Sequence, residues 1–251
     1  MMFWQKVPML VTALFAVLPC QANQALPSGI TLNQFRIIYP ASAAKGITWS
    51  LTNNTNRPYL MQSWVRPMDV ATGLPWTKDE TKKAKTTIPL LVTPPLERVE
   101  AGQSLTLRIR LTERTLPQDR ESVFYLSVKG IPSVPEKSTQ VGGQMVVAVV
   151  NNMKLFYRPD GLPEGGVVTA SSQLRFSLRG DLLVVDNPTP FYINFSQVTV
   201  GGKTLPADAL RKLVPPKGQQ SYPLPRGTAD AVVWQIVDEN SQPGPLQHQV
   251  L

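Results

Sequence analysis

The stretch Phe156-Tyr157-Arg158-Pro159-Asp160-Gly161-Leu162-Pro163 divides the chain, and its reading decides the fold. An aromatic pair is followed by two prolines and a glycine, the composition of a short, stiff connection. Working back towards the N-terminus, short runs rich in Val, Ile, Leu, Tyr and Phe recur at Arg36–Tyr39, Thr48–Asn53, Tyr59–Val65, Leu105–Leu111, Val123–Val128 and Met145–Val150. Working forward, a second set follows at Leu174–Leu178, Leu182–Asp186, Tyr192–Val200 and Val232–Val237. Both sets are punctuated by Pro, Gly, Asn and Asp and show almost no helical period. With 24 prolines, and strands at intervals of roughly 8–12 residues, the pattern predicts an all-β protein of two antiparallel, Ig-like sandwiches rather than a barrel or a parallel α/β sheet. The boundaries expected are a leader at 1–22, a first domain at 23–158 and a second at 159–251. The polar stretch Thr77–Lys85 reads as an exposed loop.

A chain of 251 residues is long enough for two cores, and 42% hydrophobic against 17% charged residues is a globular composition. At the N-terminus Lys6 precedes an apolar run from Val7 to Leu18 and then Cys20-Gln21-Ala22, the layout of an export signal cleaved near Asn23. The run is shorter than the roughly 20 residues that cross a bilayer, and no later run approaches that length. A lipid-modified Cys20 is the rival reading, poorly matched by Pro19 directly before it. Cleavage would remove the one cysteine, leaving a mature chain with neither disulfide nor Cys-bound metal.

The formal charge of +8 is scattered through β-rich segments rather than gathered into a tract, which argues against nucleic-acid binding and fits encounter with acidic partners. His248 is the sole histidine, three residues from the end in a region expected to fray, so a Ser-His-Asp or Cys-His arrangement has no well-placed base. No metal cluster, no Gly-rich phosphate loop and no cofactor site can be assembled, and the acidic pairs Asp79-Glu80 and Asp238-Glu239 read as solvated or structural. No enzyme activity is expected.

The stretch Gln144-Met145-Val146-Val147-Ala148-Val149-Val150 is apolar on both strand faces and follows a Gly- and Ser-bearing segment. At about 3.3 Å per residue it would present roughly 20 Å of strand. Val146, Ala148 and Val150 are expected to face the chain's own core and Met145, Val147 and Val149 to face outward. One reading makes it a central strand buried on both faces. The other makes it an edge kept free of the Lys, Pro or bulge that usually blunts one, ready to accept a partner strand. Such an edge also allows a free protein to associate with itself. Arg36 and Lys154 interrupt apolar runs: converging, they would clamp a carboxylate; apart, they are surface cations or internal ion-pair partners.

Six ordered blocks carry a resemblance: Arg36-Ile37-Ile38-Tyr39-Pro40; Pro58-Tyr59-Leu60 with Gln62-Ser63-Trp64-Val65; Thr93-Pro94-Pro95-Leu96; Leu116 to Ser122; Lys154 to Pro159; and Asn187-Pro188-Thr189-Pro190-Phe191-Tyr192. Through them the chain resembles the periplasmic pilus-assembly chaperones of the chaperone-usher pathway, over nearly all of its mature length. The resemblance implies two Ig-like domains in an L or boomerang and, as partners, pilus or fimbrial subunits and an outer-membrane usher. The family is itself a standard example of recognition by strand donation. It further implies that Arg36 and Lys154 anchor the subunit's C-terminal carboxylate and that Met145, Val147 and Val149 form the donated strand. An interdomain ion network of Glu121, Arg158 and Asp238 is also implied, although Val237-Asp238-Glu239-Asn240 departs from the Asn-Asp-Tyr-Gly common in relatives. The short segment before the donor strand resembles the short-loop branch. Lys154 has the opposite strand parity to the three donor residues, so a bulge, a twist or a strand end is expected between them. The rival from another class is an exported, self-assembling fibre subunit, which would share the Pro-rich strands and the leader.

Overall fold

The computed structural model describes residues 28–84, 87–133, 146–224, 227 and 231–251; the leader at 1–22 and Met145 lie outside them. The first sandwich comprises β1 (Ile30–Leu32), β2 (Arg36–Pro40), β3 (Ile47–Asn53), β4 (Tyr59–Pro67), α1 (Lys78–Lys83), β5 (Leu90–Thr93), β6 (Leu96–Val99), β7 (Ser104–Leu111), β8 (Ser122–Pro132) and β9 (Val149–Arg158). One of its sheets has the order β1-β3-β7-β5 and the other β2-β9-β8-β4-β6. Strict alternation builds it: in β7, Leu105, Leu107 and Ile109 are buried while the residues between them are exposed, so one face meets Trp49, Leu51, Leu126 and Leu155 in the core.

The second sandwich comprises α2 (Gly166–Ser171), β10 (Arg175–Arg179), β11 (Leu182–Asn187), β12 (Phe195–Val200), β13 (Lys203–Thr204), a 3-10 turn (Ala209–Arg211), β14 (Gly218–Pro223), β15 (Ala231–Ile236) and β16 (Gln247–Val250). Its sheets, β10-β11-β14 and β13-β12-β15-β16, close over a core around Phe176, Phe195, Tyr222 and Trp234. The two sandwiches repeat one corner device. Asn53 Oδ1 accepts from Thr55 N and Oγ1 while its Nδ2 donates to Arg57 O; Asn187 Oδ1 accepts from Thr189 N and Oγ1 while its Nδ2 donates to Phe191 O. In both, an Asn-x-Thr turn supplies the backbone partners that a buried strand end would otherwise lack.

Three expectations change. Thr77–Lys85 is not simply a loop: within it Lys78–Lys83 forms a helix that buries nothing, nucleated by a capping box in which Thr77 Oγ1 accepts from Glu80 N and Glu80 Oε2 from Thr77 N. Phe156, Tyr157 and Arg158 are the end of β9 rather than part of a connection, because all three are buried and paired to β2 on one side, with Phe156 and Tyr157 also paired to β8 on the other. His248 does not fray but pairs with Val233.

The domains meet through a small apolar cluster of Met68, Tyr125, Phe156 and Leu213. Tyr125 Oη donates to Gly73 O at 2.5 Å, and a Cβ on Gly73 would lie 2.2 Å from Arg211 O, so the loop after Met68 abuts the second domain closely enough that only glycine fits. Among the described residues no helix is long and apolar enough to cross a membrane.

Candidate functional site

The site is built by the position of β2. It runs parallel to β9 but pairs only with its second half, Arg36 opposite Lys154 and Pro40 opposite Arg158. On its other side β9 pairs with β8 from Val149 to Tyr157 without a register shift. The first half of β9, Val149–Met153, therefore has no neighbour on the β2 side among the described residues, and this open stretch, about 17 Å long, ends at Arg36 and Lys154. The two cations that the sequence left unplaced are cross-strand neighbours.

Both are drawn out of water. Arg36 is 6% exposed, its guanidinium carbon stands 3.9 Å from the Phe156 ring centroid, and its Nε and Nη2 make no hydrogen bond to any described residue. Burial lowers its pKa, a shift opposed by Glu121. Lys154 Nζ donates to Asn194 Oδ1 from the second domain, and burial together with Arg36 brings its pKa down to about 8. With Phe35, Tyr125, Asn152 and Val237 they line a cavity of about 250 Å³ in the interdomain cleft. Two desolvated cations, one with unused donors, are an arrangement that can receive an anion, and a planar fork beside a point charge suits a carboxylate.

The parity expected for the donor run is inverted. Val147 and Val149 stand beside Ile30, Leu51, Met61 and Val128, on the face that carries Met153, Leu155 and Tyr157 into the core, and line a cleft of about 300 Å³ at the open side of the sandwich. They are nonetheless 60% and 57% exposed, because the core ends before reaching them. Val146, Ala148 and Val150, expected to face the core, are exposed, and Val150 lies on the opposite sheet face with Trp64 and Asn152. The reading as a central strand buried on both faces is thus excluded for the described part. Between Val149 and Lys154 the pairing with β8 has no bulge; what separates them is the start of β2, so a strand laid along the open edge would have one face over Val147 and Val149 and its end against the cations.

The ion network differs from expectation by one residue. Arg158 pairs with Glu121 at 2.9 Å and with Glu239, not Asp238, at 2.7 Å; Arg158 and Glu121 are all but unexposed and Glu239 is partly buried. Glu121 Oε2 also accepts from Tyr192 N and Glu239 Oε2 from Gly165 N, so the triad ties the end of β9 to two segments of the second domain. Burial raises the pKa of Glu121 against the pull of Arg158 and Arg36. Asp238 instead closes its own turn, accepting from Asn240 N and Gln242 N, because the chain reverses there and Glu239 is the residue left pointing into the cleft. Asn194 was not anticipated; a lone amide between buried Ile193 and Phe195 was the available signal. Among the described residues no group of His, Cys, Asp and Glu could hold a metal ion.

Comparison with known proteins places this geometry. Residues 29–163 match the family described as "Pili and flagellar-assembly chaperone, PapD N-terminal domain", and residues 169–241 match "Pili assembly chaperone PapD, C-terminal domain". The chain is 33% identical over 249 residues to the chaperone protein caf1M of Yersinia pestis, covering 90% of each. It is 35% identical over 206 residues to the probable fimbrial chaperone LpfB of Escherichia coli O157:H7, covering 82% of this chain and 81% of that one. Among solved structures, a chain of the Salmonella enterica SafA pilin–SafB chaperone complex superposes with a TM-score of 0.74 at 31% identity, covering 90% and 98%. The E. coli chaperone DraB superposes with 0.71 at 30%, covering 89% and 99%.

Proposed function

This chain belongs to the pili-assembly chaperone family, and from that membership we propose that it captures incomplete Ig-like pilus or fimbrial subunits in the periplasm by lending them the open edge of β9, then delivers them to an outer-membrane usher. No reaction is catalysed and no cofactor takes part. Residues 1–22 serve as the export signal, the subunit-binding domain ends at Arg158, and the second domain begins at Pro159.

The observation that carries the reading is the open half of β9 ending on two desolvated cations. It also dictates direction. A strand entering beside Val149–Met153 lies in line with β2 and abuts Arg36. Running parallel to β9 it brings its C-terminal carboxylate to Arg36 and Lys154; running antiparallel it would bring an ammonium group, which the site repels. Main-chain hydrogen bonds then supply affinity, and Met145, Val147 and Val149 fill the groove of a subunit that lacks its own last strand. Glu121, Arg158 and Glu239 hold the second domain so that Asn194 meets Lys154.

The test is co-purification with subunits encoded beside this chain. Wild type is expected to form a stable one-to-one complex, and Lys154→Ala and Arg36→Ala to lose it while retaining the fold. Normal capture by both variants would discard the clamp, and self-assembly with no captured subunit would favour a fibre component.

A further inference from the structure

The outward face of the five-stranded sheet carries a second feature beside the carboxylate anchor. The strand register sets three rungs on that face: Gln62, Lys129 and Val150; Trp64, Ser127 and Asn152; Arg66, Tyr125 and Lys154. Over the first two, α1 leans in with Lys78 and Lys82, and a trough of about 790 Å³ opens between helix and sheet. Arg66, Lys78, Lys82 and Lys129 surround it, no carboxylate lines it, and none of the four is in an ion pair with a described residue. The two carboxylates of α1 do not line it either, Glu80 being held by the Thr77 backbone. Arg66 is further oriented by Trp76 O at 3.2 Å and by the Trp64 ring at 5.0 Å.

One wall of this trough is β9 itself, through Val150 and Asn152, and Asn152 also lines the anchor cavity. A strand lying on the open edge of β9 must therefore turn every second side chain towards the trough. We propose that the trough receives acidic side chains on the outward face of the captured strand, within roughly six residues of its C-terminus, so that the chaperone selects subunits with Asp or Glu there. This rests on the capture reading above and adds the chemistry of the preferred ligand. A bilayer or a nucleic acid could meet the same four cations, but a chain lying on β9 is favoured because Val150 and Asn152 of the open strand form one wall of the trough.

The experiment uses the full mature chain and two synthetic peptides with the same alternating apolar face and a free C-terminal carboxylate, one bearing Asp and the other Asn at the outward positions. The Asp peptide is expected to bind about tenfold more tightly at low salt, the combined effect of a few partly exposed charge pairs. That advantage should vanish at high salt and in the triple variant Lys78→Glu, Lys82→Glu, Lys129→Glu, which alters an exposed helix and one strand face and keeps its fold. Equal affinity of the two peptides for wild type overturns the inference and leaves the capture reading standing. Loss of binding to phosphatidylglycerol vesicles in the triple variant, with both peptides bound equally, would assign the cations to a membrane surface instead. If neither peptide binds wild type, capture itself is wrong and the trough inference falls with it; if Lys154→Ala binds both unchanged, the clamp is wrong and the inference, which counts its acidic positions from the clamped C-terminus, is overturned while capture stands.

Discussion

Two sheet edges of this molecule face the same hazard and meet it in opposite ways. β10 is an edge of the second sandwich, and the outward backbone of Phe176 would invite another strand; there Gln249, reaching from β16, accepts from Phe176 N at 2.9 Å and donates to Phe176 O at 2.7 Å. One side-chain amide thus imitates the missing strand and joins the two sheets of that sandwich. Along Val149–Met153 of β9 no described side chain does this, and exposed Val147, Val149 and Val150 stand beside it. Among the described residues one edge is thus clasped and the other is not, although the means of closing an edge is present in the same chain, a contrast that fits the capture role proposed for β9.

The contrast can be broken most sharply by charging the open edge. Val149→Asp is expected to abolish subunit capture, a loss of about a hundredfold or more, because a carboxylate would have to enter an apolar groove. Thermal melting should be unchanged, since the side chain is 57% exposed in the free protein; retained capture would remove Val149 from the donated set.

The open edge works only while the second domain stays in place, and the ion network should carry much of that. Glu121→Ala leaves Arg158 buried with half its partners and is expected to cost about 3 kcal/mol in denaturant unfolding. Asp119→Ala, at the exposed pair with Lys217, should leave the unfolding curve all but unchanged. Equal effects would mean that the apolar cluster around Phe156 and Leu213, not the ions, sets the orientation.

The anchor should be sensitive to pH. With its pKa near 8, Lys154 loses its charge in the free protein as pH rises past 8, while a bound carboxylate holds the proton on. Capture should therefore take up a proton and weaken roughly tenfold by about pH 9, as read by calorimetry in buffers of different ionisation enthalpy. The free protein should move the other way. A lowered lysine pKa penalises the folded state while the group is charged, so unfolding free energy should rise between pH 8 and 10.5. Capture that does not change between pH 7 and 9 would place the carboxylate elsewhere, and a flat stability profile would mean that Lys154 is not desolvated in the free protein.

The smallest effect is expected at the closed edge. Gln249→Ala removes two hydrogen bonds from groups that water can partly reach and should cost about 1 kcal/mol. Faster hydrogen exchange at Phe176 and concentration-dependent self-association should accompany it, and their absence would show that β10 needs no clasp.

Strands with a full apolar face were legible from sequence, as β7 shows by its alternation and β8 by its continuous apolar run, because both are local properties. Those that touch a core at one point were not. β14, reading Gly-Gln-Gln-Ser-Tyr-Pro, buries only Tyr222, and β16 buries nothing fully. The helix α1 could have been read, since Thr77 and Glu80 stand at capping-box spacing. The inverted donor parity was a reasonable error: period two tells which residues share a face but not which face meets the core, and the core of this sandwich stops before Val149.

By itself the sequence determined two all-β domains, since strand alternation depends on residue type and spacing, while the resemblance it carries singled out Arg36, Lys154, Val147 and Val149 as candidates and the Glu121–Arg158 pair that the structure contains. Only the tertiary structure decided that Arg36 and Lys154 are neighbours, that Glu239 rather than Asp238 meets Arg158, and that the open edge ends at β2. Those facts depend on which strands pair and where a chain reverses, and such long-range choices are made by burial of the whole core rather than by any local run of residues.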